Sequence, residues 1–74
     1  MNKKQIIDFL SEDADDKDFL IDGKDCSYCP LTNYDLTYDG QTSRYSTIEE
    51  AVDAPVFGGK SMVQLWSLIY PQIS

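Results

Sequence analysis

Three short stretches carry residue types whose spacing invites chemistry. The first is Cys26-Ser27-Tyr28-Cys29, the C-x-x-C spacing of zinc sites and dithiol redox centres. A structural zinc takes four ligands. One copy has two cysteines and no histidine, so it cannot supply a Cys and His set alone. What remains for a metal is an intermolecular site in which two chains each offer Cys26 and Cys29, or a mixed site using Asp25. A redox dithiol needs its thiolate stabilised at a helix N-terminus that follows a strand. Here Asp22 and Asp25 disfavour a thiolate, and Pro30 ends the motif. The favoured reading is two small apolar residues flanking a bend, with no metal and no cofactor.

The second stretch, Gly59-Lys60-Ser61, matches the end of a phosphate-binding loop, where backbone N–H groups and a lysine cradle phosphates. That pattern needs a glycine where Ala54 stands. It also needs a crossover helix and a parallel sheet, for which 74 residues leave no room. Gly58-Gly59 is read as a turn and Ser61 as a helix cap.

The third is the run Glu12-Asp13-Ala14-Asp15-Asp16-Lys17-Asp18. Read as a calcium loop starting at Asp13, it places Asp15 correctly at position three. Lys17 then replaces an oxygen ligand, Asp18 replaces the turn glycine, and Lys24 replaces the bidentate glutamate. A solvated charged loop fits better. Without histidine, the usual base for a Ser or Cys nucleophile is also missing. The chain is read as a non-enzyme.

Charge is more informative than any motif. There are 13 Asp and Glu against 6 Lys and Arg, a formal net charge of −7. Every acid lies between Asp8 and Asp53, and residues 54–74 hold Lys60 as their one charge. Such a field attracts basic surfaces and repels nucleic acid and anionic lipid. Tyr28, Tyr34, Tyr38 and Tyr45 could stack bases. Nucleic-acid binders surround such rings with Lys and Arg, whereas these stand among Asp22, Asp25, Asp35 and Asp39. Tyrosine also anchors protein interfaces, but at least half of Tyr34, Tyr38 and Tyr45 are read as lining the inner face of a sheet.

The hydrophobic fraction of 42% supports a globular core, and the length implies one small domain over residues 1–74. No apolar stretch approaches the ~20 residues that span a bilayer. The apolar part of the N-terminus is too short for a signal peptide, which points to a cytoplasmic protein.

The elements that must position these residues follow from local pattern. Asn2 caps a helix over residues 2–12, with Gln5 completing a capping box and Ile6, Phe9 and Leu10 forming its apolar stripe. Residues 11–18 form an acidic linker with nothing to bury. Phe19-Leu20-Ile21 is a strand entering a turn at Asp22-Gly23. A short edge strand is expected over 24–28, because Pro30 cannot donate to a ladder. Tyr34–Tyr38 and Gln41–Tyr45 flank Asp39-Gly40, a favoured type I′ turn. That turn sets Tyr38 opposite Gln41, Leu36 opposite Ser43 and Tyr34 opposite Tyr45. On the other face it pairs Asp35 with Arg44 and Thr37 with Thr42. Ser46 or Thr47 caps a short helix over 48–53, stopped by Pro55. Val56 and Phe57 plug the core. Ser61 caps a last helix carrying Met62, Val63, Leu65, Trp66, Leu68 and Ile69, closed by Pro71.

The expected fold is therefore α+β: an N-terminal helix, a three- to four-stranded antiparallel meander, a short helix and a C-terminal helix. Its core centres on Phe9, Phe19, Ile21, Leu36, Val52, Phe57, Leu65, Trp66 and Ile69. The expected function is a small acidic protein-binding module or inhibitor, of the kind phage and mobile elements carry as accessory genes. Its acidic face would comprise Glu12, Asp13, Asp15, Asp16, Asp18, Asp22, Asp25, Asp35 and Asp39. Its partner would be a protein with a basic, nucleic-acid-binding surface, with no direct nucleic acid and no membrane. The alternative is a structural or assembly protein that homodimerises through Met62, Leu65, Trp66 and Ile69 on an apolar last helix.

Overall fold

The computed structural model describes residues 1–13 and 15–74. Its elements run α1 (Lys3–Glu12), β1 (Lys17–Ile21), β2 (Lys24–Pro30), β3 (Tyr34–Tyr38), β4 (Gln41–Tyr45), α2 (Ile48–Asp53) and α3 (Trp66–Ile73). The strands form one antiparallel sheet in the order β1-β2-β3-β4, so the fold is the expected α+β meander. No described helix is long and apolar enough to cross a membrane.

Local chemistry sets most element ends. The Asn2 side chain accepts from the Gln5 N–H at 2.9 Å, and the Gln5 side chain accepts from the Asn2 N–H at 2.9 Å. This reciprocal box satisfies two donors that the first turn would otherwise leave open. At α2, Thr47 Oγ1 accepts from the Glu50 N–H at 3.2 Å, and Glu49 and Glu50 face the positive end of the helix dipole. The hairpin turns Asp22-Gly23 and Asp39-Gly40 have positive φ at both residues, as a type I′ turn demands. The β3–β4 register matches the expected one at all five pairs. The Thr37 and Thr42 hydroxyls meet at 2.9 Å, and Arg44 Nε donates to Asp35 at 3.0 Å.

The helices and the 54–65 segment cover one face of this sheet. Parity from the register places Lys17, Phe19, Ile21, Cys26, Tyr28, Tyr34, Leu36, Tyr38 and Tyr45 on that inner face. The expected core residues Phe19, Ile21, Leu36, Val52, Phe57, Trp66 and Ile69 are buried. Phe9 and Leu65 are only half-buried, while Ile6, Leu10, Cys26, Tyr28, Ile48, Ala51 and Met62 complete the core. Phe9 sits edge-on to Trp66 and Tyr70, with centroids 5.7 and 5.1 Å away.

Four expectations are corrected. First, β2 is a seven-residue central strand and not a short edge strand over 24–28. Pro30 is tolerated because it ends the strand, beyond Tyr28, where pairing to β1 stops. Second, the acidic linker is shorter than 11–18: α1 runs to Glu12 and β1 starts at Lys17. Ala14, expected within that linker, lies outside the described residues. Third, the linker reading left nothing to bury, yet the Lys17 side chain is only 11% exposed. Its stem lies along the inner face and its ammonium returns to Asp13 at 2.8 Å.

Fourth, the last helix begins at Trp66 and not after Ser61, and Pro71 lies inside it. Ser61 and Gln64 do bond reciprocally, at 2.9 and 3.2 Å, but they cap a turn. The Trp66 N–H reaches Val63 C=O at 3.4 Å, an i→i−3 contact tighter than an α-helix. Val63 N–H donates across the core to Val52 C=O at 3.2 Å. Pro71 deprives the Ser67 carbonyl of its helical donor, but Ser67 is exposed, so water can serve that carbonyl.

Candidate functional site

The uncovered face of the sheet is where charged side chains collect. Strand alternation directs Asp18 and Leu20 of β1, Asp25, Ser27 and Cys29 of β2, Asp35 and Thr37 of β3, and Thr42 and Arg44 of β4 away from the helices. Register then aligns them in rows. One row runs Asp18, Ser27, Thr37, Thr42, and another runs Cys29, Asp35, Arg44. The result is a surface of carboxylates and small hydroxyls, with the exposed Leu20 and the half-buried Cys29 among them and a single cation, Arg44. Its guanidinium holds Asp35 by two bonds of 3.0 and 3.4 Å, and that carboxylate raises the arginine's pKa. The pair is exposed, so it orients Arg44 more than it stabilises the fold.

Of the nine acids assigned to a binding face, the structure gathers Asp18, Asp25 and Asp35 on this open surface. Asp22 and Asp39 occupy the β1–β2 and β3–β4 turns, at one end of the sheet. The Asp39 N–H donates to Asp25 C=O at 2.9 Å, so the second turn is tied to β2. Asp15 and Asp16 lie at the opposite end, leading into β1. Glu12 ends α1. Asp13 is its C-cap and is committed to Lys17, whose hydrogen bond lowers the Asp13 pKa, helped by the backbone N–H of Asp15. A carboxylate so engaged is a poor ligand for calcium. Of the remaining four acids, Asp53 pairs with Lys3, and Glu50 accepts from the Ser46 and Thr47 hydroxyls at 3.1 and 3.0 Å.

The C-x-x-C motif is corrected by geometry. Both cysteines lie on β2, three positions apart, so they project to opposite faces. Cys26 is 4% exposed on the inner face, while Cys29 is half-buried on the open one. Within one copy they cannot bond each other or ligate one metal together. Their chemistry is also quiet. Burial raises the Cys26 thiol pKa, with Asp25 and Asp39 adding to it. The Cys26 thiol donates to Lys24 C=O at 3.4 Å. Hydrogen bonding to the Asp16 carboxylate raises Cys29, and burial and the charges of Asp16 and Asp35 add. Raised thiol pKa values suppress the nucleophilic thiolate. Among the described residues no group of three or more His, Cys, Asp or Glu could hold a metal ion.

Gly59-Lys60-Ser61 falls in a tight turn in which Phe57 and Lys60 exchange backbone bonds of 3.0 and 3.2 Å. The Ser61 hydroxyl is committed to Gln64. No helix starts there to present N–H groups to a phosphate. The concave features are shallow. One cleft of about 270 Å³ is walled by Tyr38, Gln41, Ser43, Tyr45, Pro55 and Val56, with no acid or base among them.

The dimer face assigned to the last helix is also corrected. Met62 and Ile69 are fully buried and Trp66 is 5% exposed, and Leu65 is half-buried. These side chains complete the protomer's own core, because the 61–65 turn swings Met62 inward. The exposed apolar residue of α3 is Leu68, at 48%.

Sequence reasoning overlooked Gln72. Its carboxamide accepts from the Leu20 N–H at 2.7 Å and donates to the Leu20 C=O at 2.9 Å. It thereby occupies the outer backbone edge of β1 as a neighbouring strand would. Its only sequence signal is a polar residue near the end of an apolar stretch, which says nothing about a contact 52 residues away.

No family model matches this chain, and no curated protein or solved structure matches it.

Proposed function

We propose that this chain is a non-catalytic docking module, acting in the cytoplasm, whose open sheet face binds a basic protein surface of the kind that otherwise holds nucleic acid. It would act there as an inhibitor acts, by occupying that surface. One observation carries the reading. The only cation on the open face, Arg44, is already bound to Asp35, while Asp18 and Asp25 join no ion pair among the described residues. That surface therefore presents uncompensated negative charge on a rigid scaffold, with Asp22 and Asp39 extending it at one end. Rigid presentation lowers the ordering cost of binding, and the negative charge steers a cationic partner toward it. The absence of histidine and the two raised thiols support the non-catalytic part.

The test is capture of host proteins on the immobilised chain at about 0.05 M salt, followed by elution near 0.5 M. A basic partner retained at low salt, released at high salt and lost with Asp18→Asn/Asp25→Asn supports the reading. Retention that ignores both salt and the double substitution overturns it. Asp35 is left intact so that Arg44 keeps its place.

A further inference from the structure

The β4 edge of the sheet stands open, and we propose that a second copy of this chain occupies it. The two β4 strands would pair antiparallel with Ser43 on the two-fold axis, joining two four-stranded sheets into one. This does not depend on the docking reading above.

The vacancy follows from the register. A two-residue turn makes Tyr38 and Gln41 the closing pair, so Gln41, Ser43 and Tyr45 direct their backbone groups to β3. The N–H and C=O of Thr42 and Arg44 then point outward. Among the described residues no side chain or loop bonds them. Unpaired strand edges of this kind are templates for another strand.

Charge selects the occupant. A chain carrying −7 repels its own kind wherever its acids lie. β4, Gln41-Thr42-Ser43-Arg44-Tyr45, is the one strand without an acid except for the neutralised pair that Arg44 makes with Asp35 on β3. A basic strand added here would set its cations beside Arg44. A second β4 brings no acid to the seam.

The register then follows. Two outward residues can pair with themselves or with each other. Self-pairing at Arg44 would face one guanidinium with another, which is destabilising. The Ser43-centred register instead sets Thr42 opposite the partner's Arg44, and Arg44 opposite the partner's Thr42. Each pair exchanges two backbone hydrogen bonds. Ser43 meets the partner's Ser43 on the inner side, small enough for the ~4.8 Å approach of paired strands. Tyr45, half-buried in one copy, comes opposite the partner's Gln41, at the wall of the 270 Å³ cleft that Pro55 and Val56 close. Edge, cleft and charge agree on one arrangement.

The dimer and the docking complex have opposite salt dependences. Two like-charged copies repel less as salt screens them, whereas an acidic face leaves a basic partner. Sedimentation equilibrium of the full chain, from about 10 µM to 1 mM, reads the self-association. The expected result is a monomer–dimer equilibrium that tightens between about 0.05 and 0.5 M salt. Thr42→Pro removes one outward N–H per copy and no backbone bond within the protomer, where it loses only the exposed hydroxyl contact with Thr37, and it weakens the dimer about tenfold or more. Circular dichroism confirms that the variant keeps its fold. If it does not, amide exchange of the unmodified chain decides. Protection of Thr42 and Arg44 that rises with protein concentration supports the proposal. A monomer throughout the range overturns it. So does a dimer indifferent to Thr42→Pro but lost on Leu68→Asp, which would place the contact on α3. Protection of those amides only on adding a different protein also overturns it, since the edge then receives a foreign strand.

Discussion

The two edge strands of this sheet have the same length and opposite characters. β1 is anchored and sealed. Phe19 and Ile21 are both 4% exposed in the core, Lys17 turns its stem inward, and Gln72 takes both backbone groups of Leu20. β4 has no fully buried residue and no such clamp, and its charged side chain is occupied by Asp35. Inward-pointing charge and a covered backbone are known ways to protect an edge. The difference teaches where this small protein concentrates its structural commitment. One side of the sheet is fixed by long-range contacts with α3, and the other by its hairpin and the sequence-adjacent α2.

The largest test of that contrast is truncation of one side chain on each edge. Phe19→Ala removes a ring that packs on Phe57 at 5.6 Å, and it is expected to cost about 3–5 kcal/mol. Tyr45→Ala on β4, half-buried, is expected to cost well under half as much. Urea unfolding measures both. Equal losses would show that the edges are equally anchored and would break the comparison.

A second test uses pH. Tyr28 lies on β2 opposite Lys17, 1% exposed, and burial, with a smaller contribution from Tyr34, raises its phenol to about 12 from an ordinary value of 10.0. A raised folded value means the native state holds the proton more tightly than the unfolded one. The associated stability is complete below pH ~10 and is lost as pH rises toward 12, on the order of 2 kcal/mol. Unfolding free energies across that range should fall for the natural chain and fall less for Tyr28→Phe. An identical slope in the variant would show that this region is no drier than its surroundings.

The smallest effect sharpens the comparison most. Gln72→Ala leaves the core intact and unseals β1. Three exposed hydrogen bonds are lost, two to Leu20 and one to the Leu68 C=O, so stability should drop by about 1–2 kcal/mol. Amide exchange at Leu20 should accelerate at least tenfold, while Ser43, bonded within the hairpin, should change far less. A silent Gln72→Ala would mean that the clamp contributes nothing and that the two edges differ in burial alone.

Legibility in the sequence tracked the range of the interaction. Asn2 with Gln5 and Thr47 with Glu50 were readable because a cap and its donor lie three residues apart. The Asp39-Gly40 turn fixed the β3–β4 register, and it set Asp35 beside Arg44 through the period-two alternation of a strand. Half of the open face, its β3–β4 side, was therefore visible before any fold. The nine acids from Glu12 to Asp39 were read as one face, but strand parity and two turns distribute them over several parts of the surface.

What the chain determined by itself was local: turn types, caps, the hairpin pairing and an overall negative charge. The tertiary structure alone decided that β2 lies in the middle of the sheet, that Cys26 and Cys29 face opposite ways, that Met62 enters the core and that Gln72 guards β1. Each of these depends on which distant surfaces exclude water together. That choice is made by burying apolar area across the whole chain, and no neighbouring residues encode it.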